Sequence, residues 1–353
     1  MQAIVKLEAA SGLVCQEVDR PLPKDNEVLI KVEATAICGT DISFYNWNQS
    51  AQDFASKFAV TFPFVLGHEC SGTVVEIGSQ VKGIQVGDRV ALETHIPCGE
   101  CFQCREGNAH NCMNMSIYGI SCDGCFGEYA TAPESVVFKL DDAVSFEEGA
   151  LFEAGGVAMR AVEEADVQPG ETALVFGCGA IGLMAVQILQ ASGAANVIAV
   201  DIDPYRVNMA KEIGAIAVNS LEEDVHKVVQ KYTSYRGGVD IILEMTGSPK
   251  VYETMFDMLR LEGKVVTVGH PGGQVPINIT KSVNLKGARI KGVFGRRIWG
   301  TWHRLGGLVA SGKVDLLKVA THRFPFNKVD EAFAQIKAGA GKIIFLPGLN
   351  QEN

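Results

Sequence analysis

The hydrophobic pattern of the chain changes character once. Up to residue 155 the apolar positions fall in short alternating or β-branched runs broken by glycine, as in NEVLIKVEATAI, GHECSGTVVEIG and VGDRVALETHI. Turn signals recur between them at Gly78-Ser79, Gly83 and Gly87-Asp88. Alternation punctuated by turns marks half-buried strands, so this half predicts an antiparallel β domain, a partly closed barrel. Beyond residue 155, strand and helix patterns take turns. ETALVFG, NVIAVDID, VDIILEMTG and GKVVTVG read as strands, and AIGLMAVQILQASG, PYRVNMAKEIGA and VYETMFDMLRL as helices. That alternation predicts βαβ units and a doubly wound parallel sheet, an α/β fold of the Rossmann kind.

The last stretch offers two helical patterns, TWHRLGGLVASGKV and KVDEAFAQIKAGA, and a short strand, GKIIFLP, that can return to the first domain. The expected organisation is therefore a β domain over 1–155, a nucleotide-binding domain over 156–294 and a returning segment over 295–353.

Composition narrows the function classes. A chain of 353 residues with 47% hydrophobic and 20% charged residues is an ordinary globular protein with room for two cores. Its net charge of −10 argues against nucleic-acid binding, which needs basic patches, and against anionic membrane surfaces. The N-terminus has no apolar h-region with a cleavage site, and the most apolar stretch, Ala173 to Val186, is interrupted by glycine and too short to span a bilayer. Ten cysteines in such a chain read as metal ligands and core thiols, and the expected location is the cytoplasm.

Four of these cysteines, Cys98, Cys101, Cys104 and Cys112, form C-x2-C-x2-C-x7-C. Four thiolates this close suit a closed, tetrahedral Zn²⁺ site. An iron–sulfur run would end in C-x3-C-P, whereas here the last interval is seven residues and Met113 follows. A tetrad that fills all four positions leaves none for a substrate, so it predicts a structural zinc.

Gly177, Gly179 and Gly182 give G-x-G-x-x-G, with Ala180 and Ile181 between them, directly after a strand and at the start of a helix. In that context the first glycine makes the turn, the second admits a pyrophosphate and the third packs helix on strand. Asp201 ends the next strand, where a carboxylate takes ribose hydroxyls and repels a 2′-phosphate. NAD is therefore expected over NADP, with nearby Arg206 weakening the discrimination. Upstream, Cys38 in ICGTDIS, His68 and Glu69 in LGHEC, and Glu153 in LFEAGG supply S, N and O donors, the set of a catalytic zinc that keeps a position open.

Together these motifs, in this order, resemble the zinc-dependent medium-chain alcohol dehydrogenases, with a mostly β, GroES-like catalytic domain and a Rossmann domain. CGTDISFYNWN, ETHIPCGECFQCREGNAHNC and IKGVFGRRIWGTWHRL make the resemblance strongest to bacterial L-threonine 3-dehydrogenases. The resemblance implies two zinc ions and NAD. Cys38 and His68 would ligate the catalytic zinc, with Glu69 and Glu153 as exchangeable carboxylates. Thr40 would start a proton relay, His95 would line the substrate pocket, and Arg296 would approach the cofactor phosphates. It also implies a small alcohol as substrate, a secondary alcohol oxidised by hydride transfer to NAD, and a homo-oligomer, a tetramer by analogy.

Two positions depart from the family pattern. Ser43 stands where the threonine enzymes carry a histidine three residues after the relay threonine, and Ala154 follows the acidic ligand in place of proline. Oxidation of L-threonine to 2-amino-3-ketobutyrate is the expected reaction, with a sorbitol- or butanediol-like polyol dehydrogenase as the alternative. A non-catalytic NAD-binding protein is the remote alternative. Cys122-x-x-Cys125 lies outside any thioredoxin-like pattern and reads as two incidental thiols. Cys178 reads as a small loop residue, and His110 and His303 as surface or packing residues.

Overall fold

A computed structural model of the chain describes residues 1–349. The end of the expected C-terminal segment, 350–353, lies outside the described residues. The chain divides into two compact units. The first comprises Met1–Glu153, Arg297–Gly306 and the residues from Ala320 onward; the second comprises Ala154–Arg296 and Gly307–Val319. Residues 307–319, expected with the returning segment, belong to the second unit. The buried side chain of Leu316 and a bond from the Asp315 amide to the Gln187 side chain (3.0 Å) tie them to the helix Ala180–Ala191 there.

The first unit is built on two main sheets, with a two-stranded ladder of His95–Ile96 and Ser116–Ile117 beside them. The larger runs in the order Val137–Lys139, Arg89–Leu92, Glu69–Ile77, Glu27–Ala36, Lys342–Phe345 and Ala320–Phe324, with Tyr129–Pro133 also paired along Glu27–Ala36. The smaller sets Gln2–Lys6 between Val14–Glu17 and Phe64–Val65. A bridge between Ala3 and Gly127 ties it to the segment entering Tyr129–Pro133. Pairing is antiparallel as expected except at one edge. Ala320–Phe324 and Lys342–Phe345 run parallel, because the helix Val329–Ala338 carries the chain back between them. Lys342–Phe345 then pairs with the first-domain strand Glu27–Ala36, Ile344 opposite Ala36. Phe44, Phe64, Phe126, Phe326 and Phe345 fill one core of this unit. Each ring buried there contributes roughly 1.5–3 kcal/mol.

The second unit holds a six-stranded parallel sheet in the order Ile216–Asn219, Asn196–Asp201, Thr172–Phe176, Val239–Glu244, Leu259–Thr267 and Arg289–Gly292. The order reverses beside Thr172–Phe176, the switch point at which such sheets open a ligand crevice. Its central strands are buried on both faces, with Thr172–Phe176 and Val239–Glu244 buried at every position, whereas the edge strand Arg289–Gly292 is exposed along its length. One predicted helix ends early. VYETMFDMLRL stops being helical within the sequence: the helix Pro249–Thr254 passes into a 3-10 turn, Met255–Met258, and a strand begins at Leu259. Leu259 pairs with Val239, and Met255, Phe256 and Met258 are buried in the core, so sheet register outweighs the helical period. Among the described residues no helix is long and apolar enough to cross a membrane.

Candidate metal and cofactor sites

Cys38 lies two residues beyond the strand Glu27–Ala36 and caps the helix Gly39–Asn46 in extended conformation (φ −99°, ψ 164°). Asp41, fully buried at the third helical position, takes the Cys38 amide on Oδ2 at 2.8 Å. Its Oδ1 lies 3.6 Å from Nδ1 of His68. This aims one nitrogen of His68 at a carboxylate and leaves the other for the Cys38 side, the usual way a ligating imidazole is oriented. His68 precedes the strand Glu69–Ile77, which starts at Glu69 with Glu69 paired opposite Ala36. The register of two strands therefore brings Cys38 and His68–Glu69 together.

One ligand atom from each of Cys38, His68 and Glu69 lies within 4.8 Å of the others. Donors so spaced can reach one zinc at bond lengths of about 2.0–2.3 Å, and a thiol, an imidazole and a carboxylate are the right chemistry. Glu153, at the start of the helix Phe152–Glu164, stands outside that group of three. Its charge still acts on Asp41, His68 and Glu69. Burial opposes a charge on His68, but Asp41 and Cys38 outweigh it and raise the imidazole well above its ordinary range. Burial pushes Asp41 and Glu69 upward, with His68 and Lys342 respectively as the main opposing charges.

Sequence reasoning missed two partners of this cluster, Lys342 and Asp41, and one buried carboxylate outside it, Glu93. Both oxygens of Glu69 are held by the buried ammonium of Lys342, which also donates to the Ile37 carbonyl at 3.0 Å. Lys342 lies 273 positions away, and no local signal marks it. Asp41 carried a signal in hindsight: a carboxylate three residues after a helix start closes a capping box. Glu93, also fully buried, grips His95 and Trp302, and nothing in ALETHI distinguishes it from a solvated glutamate.

Thr40 and Ser43 sit three residues apart on the helix Gly39–Asn46 and so share a face. Both are half-buried, and Ser43 Oγ accepts from Asn48 Nδ2 at 3.4 Å. The tetrad sulfurs of Cys98, Cys101, Cys104 and Cys112 also lie within 4.8 Å of one another. Cys101 caps the one-turn helix Phe102–Arg105. The Met113 amide on its sulfur brings Cys101 down to about 6, while burial pushes Cys104 up to about 12. Four converging thiols are the donor set of a closed zinc site.

In the second unit, Gly177 has φ +97° and Gly179 begins the helix Ala180–Ala191 with no side-chain cap, so its first N–H groups remain for a ligand. Gly182 packs against the Gly177 carbonyl, where any Cβ would collide. Asp201 orders this loop: Oδ2 takes the Cys178 amide at 2.7 Å, and Oδ1 takes those of Ile202 and Asp203. Arg206 faces Asp203 at 3.7 Å. Cys178 is buried, its thiol pushed up to about 12 by burial and by Asp201. Arg296 is 2% exposed and packs along Gly156. His110 is buried, His303 is exposed beside Phe138, Cys122 is exposed, and Cys125 is buried against Thr35.

Residues 24–142 match the alcohol dehydrogenase GroES-like domain family, and residues 180–311 match the zinc-binding dehydrogenase family. L-threonine 3-dehydrogenase of Pyrococcus abyssi is 40% identical over 349 residues, 98% of each chain. That of Bacillus subtilis is 39% identical over 98% of this chain and 99% of its own. The crystal structure of 2R,3R-butanediol dehydrogenase from Bacillus subtilis superposes with a TM-score of 0.86 at 29% identity, covering 98% of this chain and 99% of its own.

Proposed function

The chain belongs to the zinc-binding, medium-chain alcohol dehydrogenase family, and on that premise we propose that it oxidises L-threonine to 2-amino-3-ketobutyrate with NAD. The observation that carries the proposal is the Cys38–His68–Glu69 cluster, together with full-length similarity to L-threonine 3-dehydrogenases from an archaeon and a bacterium. Zinc held by Cys38 and His68 would supply a Lewis acid for the alcohol, and NAD at the glycine loop a two-electron acceptor.

The chain's own residues do the rest. Asp41 places its charge beside the imidazole of His68, and Lys342 holds Glu69 back, so Cys38 and His68 are the steady donors and Glu69 or Glu153 the exchangeable one. The Thr40 hydroxyl, two residues past Cys38, takes the substrate proton, and Ser43 on the same helical face passes it outward. Serine relays a proton but does not store it near neutral pH as a histidine does. His95 recognises the substrate. Gly177, Gly179, Gly182 and the helix start after them cradle the pyrophosphate. Asp201 selects NAD through the ribose, and Arg296 acts on the phosphate side. The Cys98–Cys112 tetrad binds the structural zinc. A homo-tetramer in the cytoplasm completes the proposal, the compartment supported by ten cysteines none of which forms a disulfide.

Butanediol dehydrogenase similarity favours one second reading, a polyol or diol dehydrogenase, and Ser43 is the residue that keeps it open. NAD reduction over L-threonine, threo-β-hydroxy amino acids, sorbitol, xylitol and 2,3-butanediol separates the two. L-threonine should give the highest kcat/KM; turnover of the diols with none on L-threonine rejects the assignment.

A further inference from the structure

We propose that Glu244 is a positioning residue of the cofactor site: it folds the turn 245–248 against the glycine loop and so sets the surface that takes the nicotinamide half of NAD. The inference rests on NAD binding at the glycine loop and deepens that reading by assigning the other half of the cofactor. Glu244 ends the strand Val239–Glu244 and has no exposed surface. Its Oε1 accepts the backbone N–H of Thr246 at 2.8 Å, that of Gly247 at 3.0 Å and the Thr246 hydroxyl. Oε2 lies 3.2 Å from the same Gly247 nitrogen. The Thr246 hydroxyl in turn accepts the Ser248 amide at 2.9 Å, so one carboxylate ties down the whole turn.

The main chain of Glu244 holds a second loop. Its carbonyl accepts the amides of Val268 (2.8 Å) and Gly269 (3.0 Å), just past the strand Leu259–Thr267. The two loops pack backbone to backbone. A Cβ at Gly269 would lie 2.1 Å from the Gly247 nitrogen and 2.8 Å from Glu244 Oε2, and one at Gly247 would lie 2.6 Å from the His270 carbonyl oxygen. Tyr252, 5% exposed, bonds to the same carboxylate. Burial and Glu244 push its hydroxyl above the ordinary range and keep it a donor.

The glycine loop is fastened from both sides within the second unit. On one side the Gly177 amide donates to the Val200 carbonyl (2.8 Å) and the Cys178 amide to Asp201 (2.7 Å). On the other, the Met245 amide donates to the Phe176 carbonyl (2.9 Å), and a Cβ on Gly177 would come within 2.9 Å of Thr246 Cγ2. Asp201 and Glu244 thus end the two strands that flank Thr172–Phe176, on opposite sides of the switch point. With a ribose at Asp201 and the pyrophosphate at the glycine loop, an extended dinucleotide has its remaining half on the Glu244 side. The bonds to Val200 and Asp201 do not involve Glu244, so its loss should damage that half alone.

Calorimetric titration of the zinc-loaded wild type, E244A, E244Q and T246V with NADH and with ADP-ribose tests this, because ADP-ribose lacks only the nicotinamide ring. In E244A the amides of Thr246 and Gly247 lose their acceptor. Kd for NADH should then rise about tenfold or more, while Kd for ADP-ribose changes less than about twofold. The fluorescence of bound NADH at saturation should fall with it, as the ring is no longer held. E244Q keeps Oε1 as an acceptor and T246V keeps a methyl against Gly177, so each should weaken NADH roughly threefold and spare ADP-ribose. A merely structural role would weaken both ligands in step. Equal losses, or E244A binding NADH as tightly as wild type, overturn the inference. Should E244A fail to fold and bind neither ligand, E244Q and T246V decide by the same criterion. A wild type that binds neither ligand rejects the cofactor reading itself, whereas one that binds both, with the variants unaffected, rejects only the role of Glu244.

Discussion

A carboxylate without exposed surface survives only when something answers its charge, and three in the first unit, Asp41, Glu69 and Glu93, each find a different answer. For Glu69 it is Lys342, itself buried and bonded to both carboxylate oxygens. Burial works against the ammonium, yet Glu69 raises the Lys342 pKa above its ordinary range. A pair of this kind is weak evidence of net stability, but breaking it from one side is severe. K342M should lose about 3–5 kcal/mol, because Glu69 is left buried and unanswered. Replacing both with apolar side chains, E69L with K342M, should recover more than half of that loss. Urea denaturation of the two variants measures it, and a loss under about 1 kcal/mol for K342M would show that Glu69 finds another partner.

At the scale of elements, the helix Gly39–Asn46 matters most because it carries Thr40 and Ser43 and is capped by Cys38. It is amphipathic only weakly, with Asp41 and Phe44 buried, so its ends rather than its faces hold it. Lys6, wholly buried, donates to the carbonyls of Phe44 (2.7 Å), Gly12 (3.1 Å) and Ala10, and its ammonium lies 5.2 Å from the Trp47 ring centroid. The Gly12 amide donates to the Tyr45 carbonyl, and the Ser11 hydroxyl to that of Asn46. A cation at a helix C-terminus that also satisfies buried carbonyls is worth about 2–4 kcal/mol. K6M should lose that much and shift Trp47 fluorescence to the red as the end of the helix opens; unchanged emission with full stability would remove Lys6 from this role. None of this was legible in MQAIVKLEAASG, where Lys6 looks like any strand lysine. Elements built on local pattern were legible: ETALVFG, the glycine loop and NVIAVDID carry period, turn and charge within a few residues. Where pairing rather than period decides, as at Leu259 opposite Val239, the sequence misleads. The same division runs through the site. Cys38, His68 and Glu69 announce themselves by type, whereas Lys342 and Trp302 arrive by long-range packing.

For the whole molecule, the two groups of metal donors differ in how they are assembled, and that difference should govern how they come apart. The tetrad draws all four sulfurs from one short segment, with Phe102 and Met113 exposed on it at 68% and 71%, so an ion bound there would be held by that segment alone. The other group needs the registry of Glu27–Ala36 against Glu69–Ile77, and one of its donors, Glu69, is already engaged by Lys342. A site with four committed thiolates binds zinc more tightly than one with a thiolate, an imidazole and a shared carboxylate. Two zinc ions per chain are therefore expected, released by chelator in two phases. The first should abolish NAD reduction while leaving Tm within a few degrees, since strand pairing does not depend on the ion. The second should unmask four thiols and make the segment from Cys98 to Asn114 the preferred site of proteolysis. Zinc analysis, thiol titration and activity followed on one time course decide it. A single zinc per chain, or activity and tetrad thiols lost together, would mean that the two sites are not the independent structures their geometry describes.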